Sequence, residues 1–380
     1  MKILITGGAG FIGSNIVNLL NGSSDNDITV IDSLTEQIHG NDTQNSYLYQ
    51  SIKGKCNFIK GDIRDYDMIA DLVANNEYII HLAAETGTGQ SMYKINQYND
   101  VNIMGTSNLF QAILSKKAKI KKVILGSSRA VYGEGKYECP EHGIAYPQGR
   151  LLSDMKKGDF HMHCPVCGNI MSVVPTDENS KLFPESLYAF TKLAQENMVK
   201  LMCKSMGIDY TIFRFQNVYG VGQSLKNPYT GILSIFSGLL LEGKALNIFE
   251  DGKETRDFIN VLDISRAVIQ SLNRSKSNGE IINLGSGIGT SVIEIASILK
   301  KYYNSSSEIK ITGDFRVGDI AHNIADTTKA KEILEFQPEI SLEEGLKNFA
   351  DWVLKTEYDN TMYENSLTEL ERAGMFIRNN

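Results

Sequence analysis

The chain has 380 residues, 42% hydrophobic and 22% charged, the balance of a soluble globular protein with room for one large or two ordinary domains. A formal charge of −7 gives no electrostatic reason to expect nucleic acid or an anionic membrane as partner, and no run nears the ~18 apolar residues of a membrane span. Met1-Lys2-Ile3-Leu4-Ile5-Thr6 already reads as a strand, so no signal peptide is expected and the cytoplasm is the default location. In that compartment the five cysteines are expected as free thiols or metal ligands rather than disulfides.

Lys2 to Thr6 runs into Gly7-Gly8-Ala9-Gly10-Phe11-Ile12-Gly13, and a helical pattern follows with Phe11, Ile12, Ile16, Leu19 and Leu20 on one face. Strand, glycine turn and helix open a dinucleotide-binding unit. Gly7 permits the tight turn, Gly10 lets backbone approach a pyrophosphate at the helix amino terminus, and Gly13 lets the helix pack closely. Ile28 to Ile31 forms a second strand ending at Asp32. An acid there hydrogen-bonds a ribose 2′-hydroxyl and repels a 2′-phosphate, favouring NAD over NADP; the plainer alternative is a turn former. Phe58-Ile59 and Gly61-Asp62-Ile63 give a third strand whose end could meet the adenine. Tyr78 to Leu82 is a fourth, entering Ala83-Ala84-Glu85-Thr86, with His81 read as a packed core histidine. Lys122 to Leu125 is a fifth and delivers Ser127 and Ser128. Strands alternating with helical segments predict an α/β fold, a doubly wound parallel Rossmann sheet.

Cys139-x-x-His142 and Cys164-x-x-Cys167 come next, 21 residues apart, at the spacing of a small zinc ribbon. Pro140, Pro165 and Gly168 favour tight turns around such ligands. His161 and His163 compete with His142 for the fourth position, and the alternative to a metal is a chance cluster of reduced thiols. Four protein ligands would close the shell and make the zinc structural. Residues 136–178 carry four Lys/Arg against six Asp/Glu, so this insert is not expected to bind a phosphate backbone. Both its ends lead toward catalytic segments, which suggests a lid or buttress. Cys56 and Cys203 read as core cysteines.

In Tyr188-Ala189-Phe190-Thr191-Lys192 the tyrosine and lysine lie one helical turn apart on the same face. A phenol needs help to act as a base at neutral pH. An ammonium beneath it and the positive ring of oxidised nicotinamide both favour the phenolate, and lowering it by about three units corresponds to roughly 4 kcal/mol. Ser128 would hydrogen-bond the same substrate hydroxyl. An ordinary amphipathic helix is the plainer reading of the spacing alone. Beyond Tyr219 the alternation loosens. Gly231 to Leu241 reads as a helix and Leu246 to Phe249 as a short strand. Phe258 to Val261 reads as a strand returning to the main sheet, and Ile281 to Leu284 starts another segment. The last ~25 residues read as a mobile tail or terminal helix.

With these residues in hand the chain resembles the extended short-chain dehydrogenase/reductase family, in its branch of nucleotide-sugar epimerases and dehydratases. The resemblance rests on Thr6 to Gly13, Gly61-Asp62, His81-Leu82-Ala83-Ala84, Val101-Asn102 with Gly105-Thr106, and Pro184 to Tyr188. It continues through Arg214 to Gly220, Thr255 to Ile259 and Arg316-Val317-Gly318-Asp319. It implies that NAD is held by Gly7, Gly10, Phe11, Ile12, Gly13, Asp32, Asp62, Ile63, Leu82, Ala83, Ala84, Tyr188 and Lys192. It implies that Ser128, Tyr188 and Lys192 are catalytic, and that Thr86, Ser91, Ser128, Asn217, Arg256 and Arg316 meet a nucleotide-diphosphate sugar. Dimerisation of two identical chains is expected from the same likeness. Residues 1–216 are then the NAD-binding domain, with segment 257–283 returning to it, and 217–380 a smaller α/β domain for the nucleotide sugar. In 4,6-dehydratases an Asp-Glu pair follows the catalytic Ser or Thr; here Arg129-Ala130 stands there, and neither transfers a proton at neutral pH. That leaves epimerisation, or a net oxidation. The Cys-rich insert, Glu85 to Ser91 and Asn227 to Gly231 are similar to those of dTDP-L-rhamnose 4-epimerases, and UDP-hexose 4-epimerases are the nearest alternative.

Overall fold

The computed structural model describes residues 1–22, 25–225, 231–356 and 361–379. Of the Asn227 to Gly231 motif, only Gly231 is among them. Seven strands build the main sheet: β1 (Lys2–Thr6), β2 (Asp27–Asp32), β3 (Asn57–Lys60), β4 (Tyr78–His81), β5 (Lys122–Ser128), β6 (Asp209–Phe215) and β7 (Glu280–Leu284). All pairs are parallel, in the order β7-β6-β5-β4-β1-β2-β3. The order reverses between β1 and β4, which opens a crevice at the carboxyl ends of the strands.

Side-chain alternation sends the two sets of apolar residues into different cores. Ile3, Ile5, Ile80 and Ile124 meet Ile16 and Val17 of α1 (Phe11–Leu20). Leu4, Ile79, Val123 and Leu125 meet Leu109 and Phe110 of α2 (Gly105–Ser115) and Val199 and Cys203 of α3 (Leu187–Met206). Burial on both faces explains why these strands read as unbroken apolar runs. The predicted parallel α/β sheet is therefore present.

One detail differs from the sequence reading. Phe258 lies in strand Thr255–Asn260, which pairs with Asn217–Tyr219, Gly289–Ser291 and His322–Asn323 in a separate sheet. The strand that rejoins the main sheet is β7, reached through α4 (Val261–Asn273), whose Ile264 and Val268 pack in the same core as Ile16. Phe258 instead enters a third core, with Tyr219, Leu233, Phe236 and Phe349. The chain end, read as tail or helix, forms helix Thr361–Arg372, and Phe376–Ile377 then pairs antiparallel with Phe315–Arg316.

The insert has its own small antiparallel sheet of Gly143–Ala145, Tyr137–Cys139 and Ser172–Val173. Of the other cysteines, Cys203 is buried and Cys56 half-buried, and burial pushes both thiols up. Among the described residues no helix is long and apolar enough to cross a membrane.

Candidate active site

A cavity of about 700 Å³ opens at the carboxyl ends of the central strands. One end is the glycine turn. Gly7 has φ +72°, and a Cβ there would stand 2.7 Å from the Ala83 nitrogen. The turn is tied down by two bonds, from the Gly7 N–H to the Ile31 carbonyl at 2.8 Å and from the Ala9 N–H to Asp32 Oδ2 at 3.0 Å. Asp32 Oδ1 accepts from the Leu34 N–H at 2.9 Å, and the buried His39 imidazole lies 4.0 Å away. Burial raises the Asp32 carboxyl and lowers His39, each partly offset by the other's charge. Gly7, Gly10, Phe11, Ile12, Gly13, Asp32, Asp62, Ile63, Leu82, Ala83 and Ala84 all line this cavity. The Asp62 carboxylate is already gripped by Arg64, at 2.9 and 2.7 Å, which holds it below its usual range.

Motif residues behind the wall fix its shape. His81 bonds Thr6 Oγ1 at 2.7 Å and Thr106 Oγ1 at 2.9 Å, and burial pushes it down to about 3, as befits a neutral core histidine. Asn102 accepts from the Glu85 N–H and donates to Thr191 Oγ1, joining the loop after β4 to α3.

Ser128 ends β5 and Tyr188 stands in the first turn of α3, whose N-cap Ser186 accepts from the Ala189 N–H at 3.2 Å. Both line the cavity with Lys192. Burial raises the Tyr188 phenol; a hydrogen bond with Ser128 and the Arg129 charge pull it back down. The Lys192 Nζ donates to the Gly126 carbonyl at 2.9 Å, and burial lowers it to about 7, opposed by Glu196. Burial and the neighbouring Arg256 lower Arg129 to about 10.

Thr86, Asn217, Arg256 and Arg316 line the same cavity, but Ser91 does not. Ser91 is fully buried: its hydroxyl donates to the Thr88 carbonyl at 2.6 Å and accepts from the Tyr188 N–H at 3.0 Å, so it seats the start of α3 instead of facing the cavity. The Arg256 fork is held by protein, donating to the carbonyls of Thr255, Ala321 and Ile320 and to Asp319 Oδ1 at 3.1 Å. Arg316 lies over the Phe249 ring, 5.2 Å from its centroid. Sequence reasoning missed Gln216, which lines the cavity at 5% exposure with neither amide atom hydrogen-bonded. Its one signal was a polar amide beside Asn217 at a strand end.

In the insert, the ligand atoms of Cys139, His142, Cys164 and Cys167 lie within 4.8 Å of one another. Cys139 Sγ is 3.6 Å from both His142 Nδ1 and Cys167 Sγ, and Cys164 Sγ is 3.8 Å from His142 Nδ1. A tetrahedral ion with Zn–S bonds of about 2.3 Å requires sulfurs about 3.8 Å apart, so the donor set fits zinc. His161 and His163 are both drawn to Asp159, at 3.0 and 2.8 Å, leaving His142 as the nitrogen in the cluster.

The model of the NAD dependent epimerase/dehydratase family matches residues 3–148 and 164–285, breaking within the insert. The chain is 36% identical to a dTDP-L-rhamnose 4-epimerase of Burkholderia thailandensis over 357 residues, 93% of this chain and 94% of the relative. Among solved structures it is similar to the UDP-glucuronic acid 4-epimerase of Bacillus cereus with UDP-glucuronic acid and NAD. That match has a TM-score of 0.76 and 28% identity, covering 93% of this chain and 99% of that one. The UDP-glucose 4-epimerase of Thermotoga maritima with UDP-glucose matches at TM-score 0.74 and 28% identity, over 93% and 99% of the two chains.

Proposed function

The chain belongs to the NAD dependent epimerase/dehydratase family, and from that premise we propose that it is an NAD-dependent nucleotide-sugar 4-epimerase acting on a dTDP-linked 6-deoxyhexose, dTDP-L-rhamnose first. The observation that carries this is the meeting of Ser128, Tyr188 and Lys192 on one cavity wall, with Arg129-Ala130 where dehydration would need an acid and a base. The Burkholderia relative supports the dTDP-sugar; the UDP-sugar structures support a UDP-hexose or UDP-hexuronate as the second reading.

The residues around the glycine turn fit NAD. A Cβ at Gly7 or Gly13 would strike backbone, so the turn stays bare where a pyrophosphate must approach, and Asp32 suits an unphosphorylated ribose. When bound, NAD supplies reversible hydride acceptance. Tyr188 removes the proton of the sugar 4-hydroxyl as that carbon is oxidised to a ketone, and returns it after the ketone presents its other face. Ser128 holds the reacting oxygen in line. Lys192, on the same cavity wall, is assigned as the third member of the catalytic set. Asn217 and Arg316 are assigned to the nucleotide diphosphate, with Arg256, its fork held by protein, contributing charge beside them, and the Cys139/His142/Cys164/Cys167 cluster to a structural zinc.

The test is incubation with a panel of dTDP- and UDP-sugars, following 4-epimer formation without net NADH. Tyr188→Phe should keep NAD and lose at least about 100-fold in turnover. Full activity in that variant would sink the mechanism, and stoichiometric NADH would make the protein an oxidoreductase.

A further inference from the structure

The insert is bonded into the wall of the cavity. Arg150, between the two ligand pairs, donates to both carboxylate oxygens of Glu250, at 2.9 Å to Oε1, and to the Asp319 carbonyl at 2.8 Å. The Arg150 and Glu250 side chains are 2% and 3% exposed, so this pair is out of water. Asp319 in turn holds Arg256. Glu134, at the edge of the insert, accepts from the Ala321 N–H at 2.9 Å, and Phe160 packs edge-on against Phe315 with centroids 6.1 Å apart. These contacts converge on Glu250 and residues 315–321, the stretch that sets Arg316 and Asp319 on the cavity wall. The glycine turn and Asp32 take no hydrogen bond from the insert among the described residues.

The apolar core of the insert itself is small. Its core is Tyr137, Cys139, Met162, Cys164 and Met171, far too little apolar burial to fix a segment of this length. Two of those five are metal-cluster cysteines, so core and cluster are one unit. A metal bridging the two pairs would close the loop that carries Arg150.

We propose that one zinc ion on Cys139, His142, Cys164 and Cys167 staples the insert, keeps Arg150 on Glu250 and Asp319, and thereby sets the affinity of the adjoining wall for a nucleoside diphosphate, leaving NAD binding untouched. This rests on the reading of that wall as the diphosphate site. The full chain should contain about one zinc by elemental analysis. Stripping it with a chelator should weaken UDP or dTDP binding at least about tenfold by calorimetry, with NAD affinity unchanged, and added Zn²⁺ should restore it. Arg150→Gln should keep the zinc and show the same loss. Protein that neither contains nor takes up zinc would overturn the staple. Stripped protein that binds UDP and dTDP normally, or that loses NAD in parallel, would overturn the link to the wall, as would a folded, zinc-loaded Arg150→Gln variant of normal nucleotide affinity. Should that variant not fold, the stripped and refilled proteins decide. Failure to epimerise any sugar would strike the proposed reaction alone and leave these binding results standing.

Discussion

Alanine at Gly13 and at Gly10 should separate helix packing from cofactor approach. A Cβ on Gly13 would stand 2.4 Å from the Gly7 carbonyl oxygen, 2.6 Å from Gly8 Cα and 2.9 Å from the Gly8 carbonyl carbon. All three are backbone atoms, so no side chain can rotate away, and the turn or α1 must move. Overpacking of this kind costs about 1–3 kcal/mol. Gly10 is different: its backbone at φ −71°, ψ 178° suits any residue, and its Cβ would meet only the Gly7 carbonyl, at 3.2 Å. Stiffening of the unfolded chain by about 0.4–1 kcal/mol is opposed by alanine's poorer capping, so the fold should barely change. The methyl would nevertheless sit at the amino terminus of α1, where the pyrophosphate is proposed to rest. We expect at least a tenfold loss of NAD affinity, about 1.4 kcal/mol. Urea unfolding and NAD calorimetry on both variants give the test. Gly13→Ala should lose stability and affinity together, Gly10→Ala affinity alone. Wild-type NAD affinity in Gly10→Ala would move the pyrophosphate off this turn, and an unchanged unfolding midpoint in Gly13→Ala would refute the packing argument.

Two further outcomes follow from buried charge. Arg214 pairs with both oxygens of Glu196, at 2.9 and 2.8 Å, with both residues at most 1% exposed; Arg214→Leu should cost about 3–5 kcal/mol in urea unfolding by stranding that carboxylate. A second change, Glu196→Leu, should recover much of the loss. Arg129→Gln removes the charge that favours the Tyr188 phenolate, so the phenol's pKa rises and the acid limb of the kcat profile should move to higher pH; an unmoved limb would show that Arg129 does not act on the base.

The opening of the chain was legible because three local signals agree there: a period-2 apolar run, a glycine turn and a period-3.6 helix face. His81 was legible as core because its position in β4 sends it inward. The returning strand was not. Phe258-Ile259-Asn260 and Ile282-Asn283-Leu284 look alike as sequences, and only tertiary packing tells them apart. Ile282 and Leu284 both enter the sheet core, whereas Thr255–Asn260 straddles two cores, with Ile259 in one and Phe258 in the other. Ser91 misled for a related reason: its hydroxyl serves the backbone of α3, a partner 97 residues away. Spacing could not choose among His142, His161 and His163 either, because the choice is made by Asp159 capturing the last two.

The placement of the cations has a single physical cause. Any charge brought into this desolvated cavity is penalised, and the two basic side chains respond differently. Lys192 can relinquish its proton and falls to about 7, which makes it a weaker source of positive charge at neutral pH. Arg129 falls only to about 10 and remains charged at neutral pH, so it is the group able to favour the phenolate continuously. It occupies the first of the two positions where a dehydratase would carry its acid and base. Arg129 therefore stands where the first proton-transferring group would be, and its charge is the one proposed to favour the tyrosine phenolate.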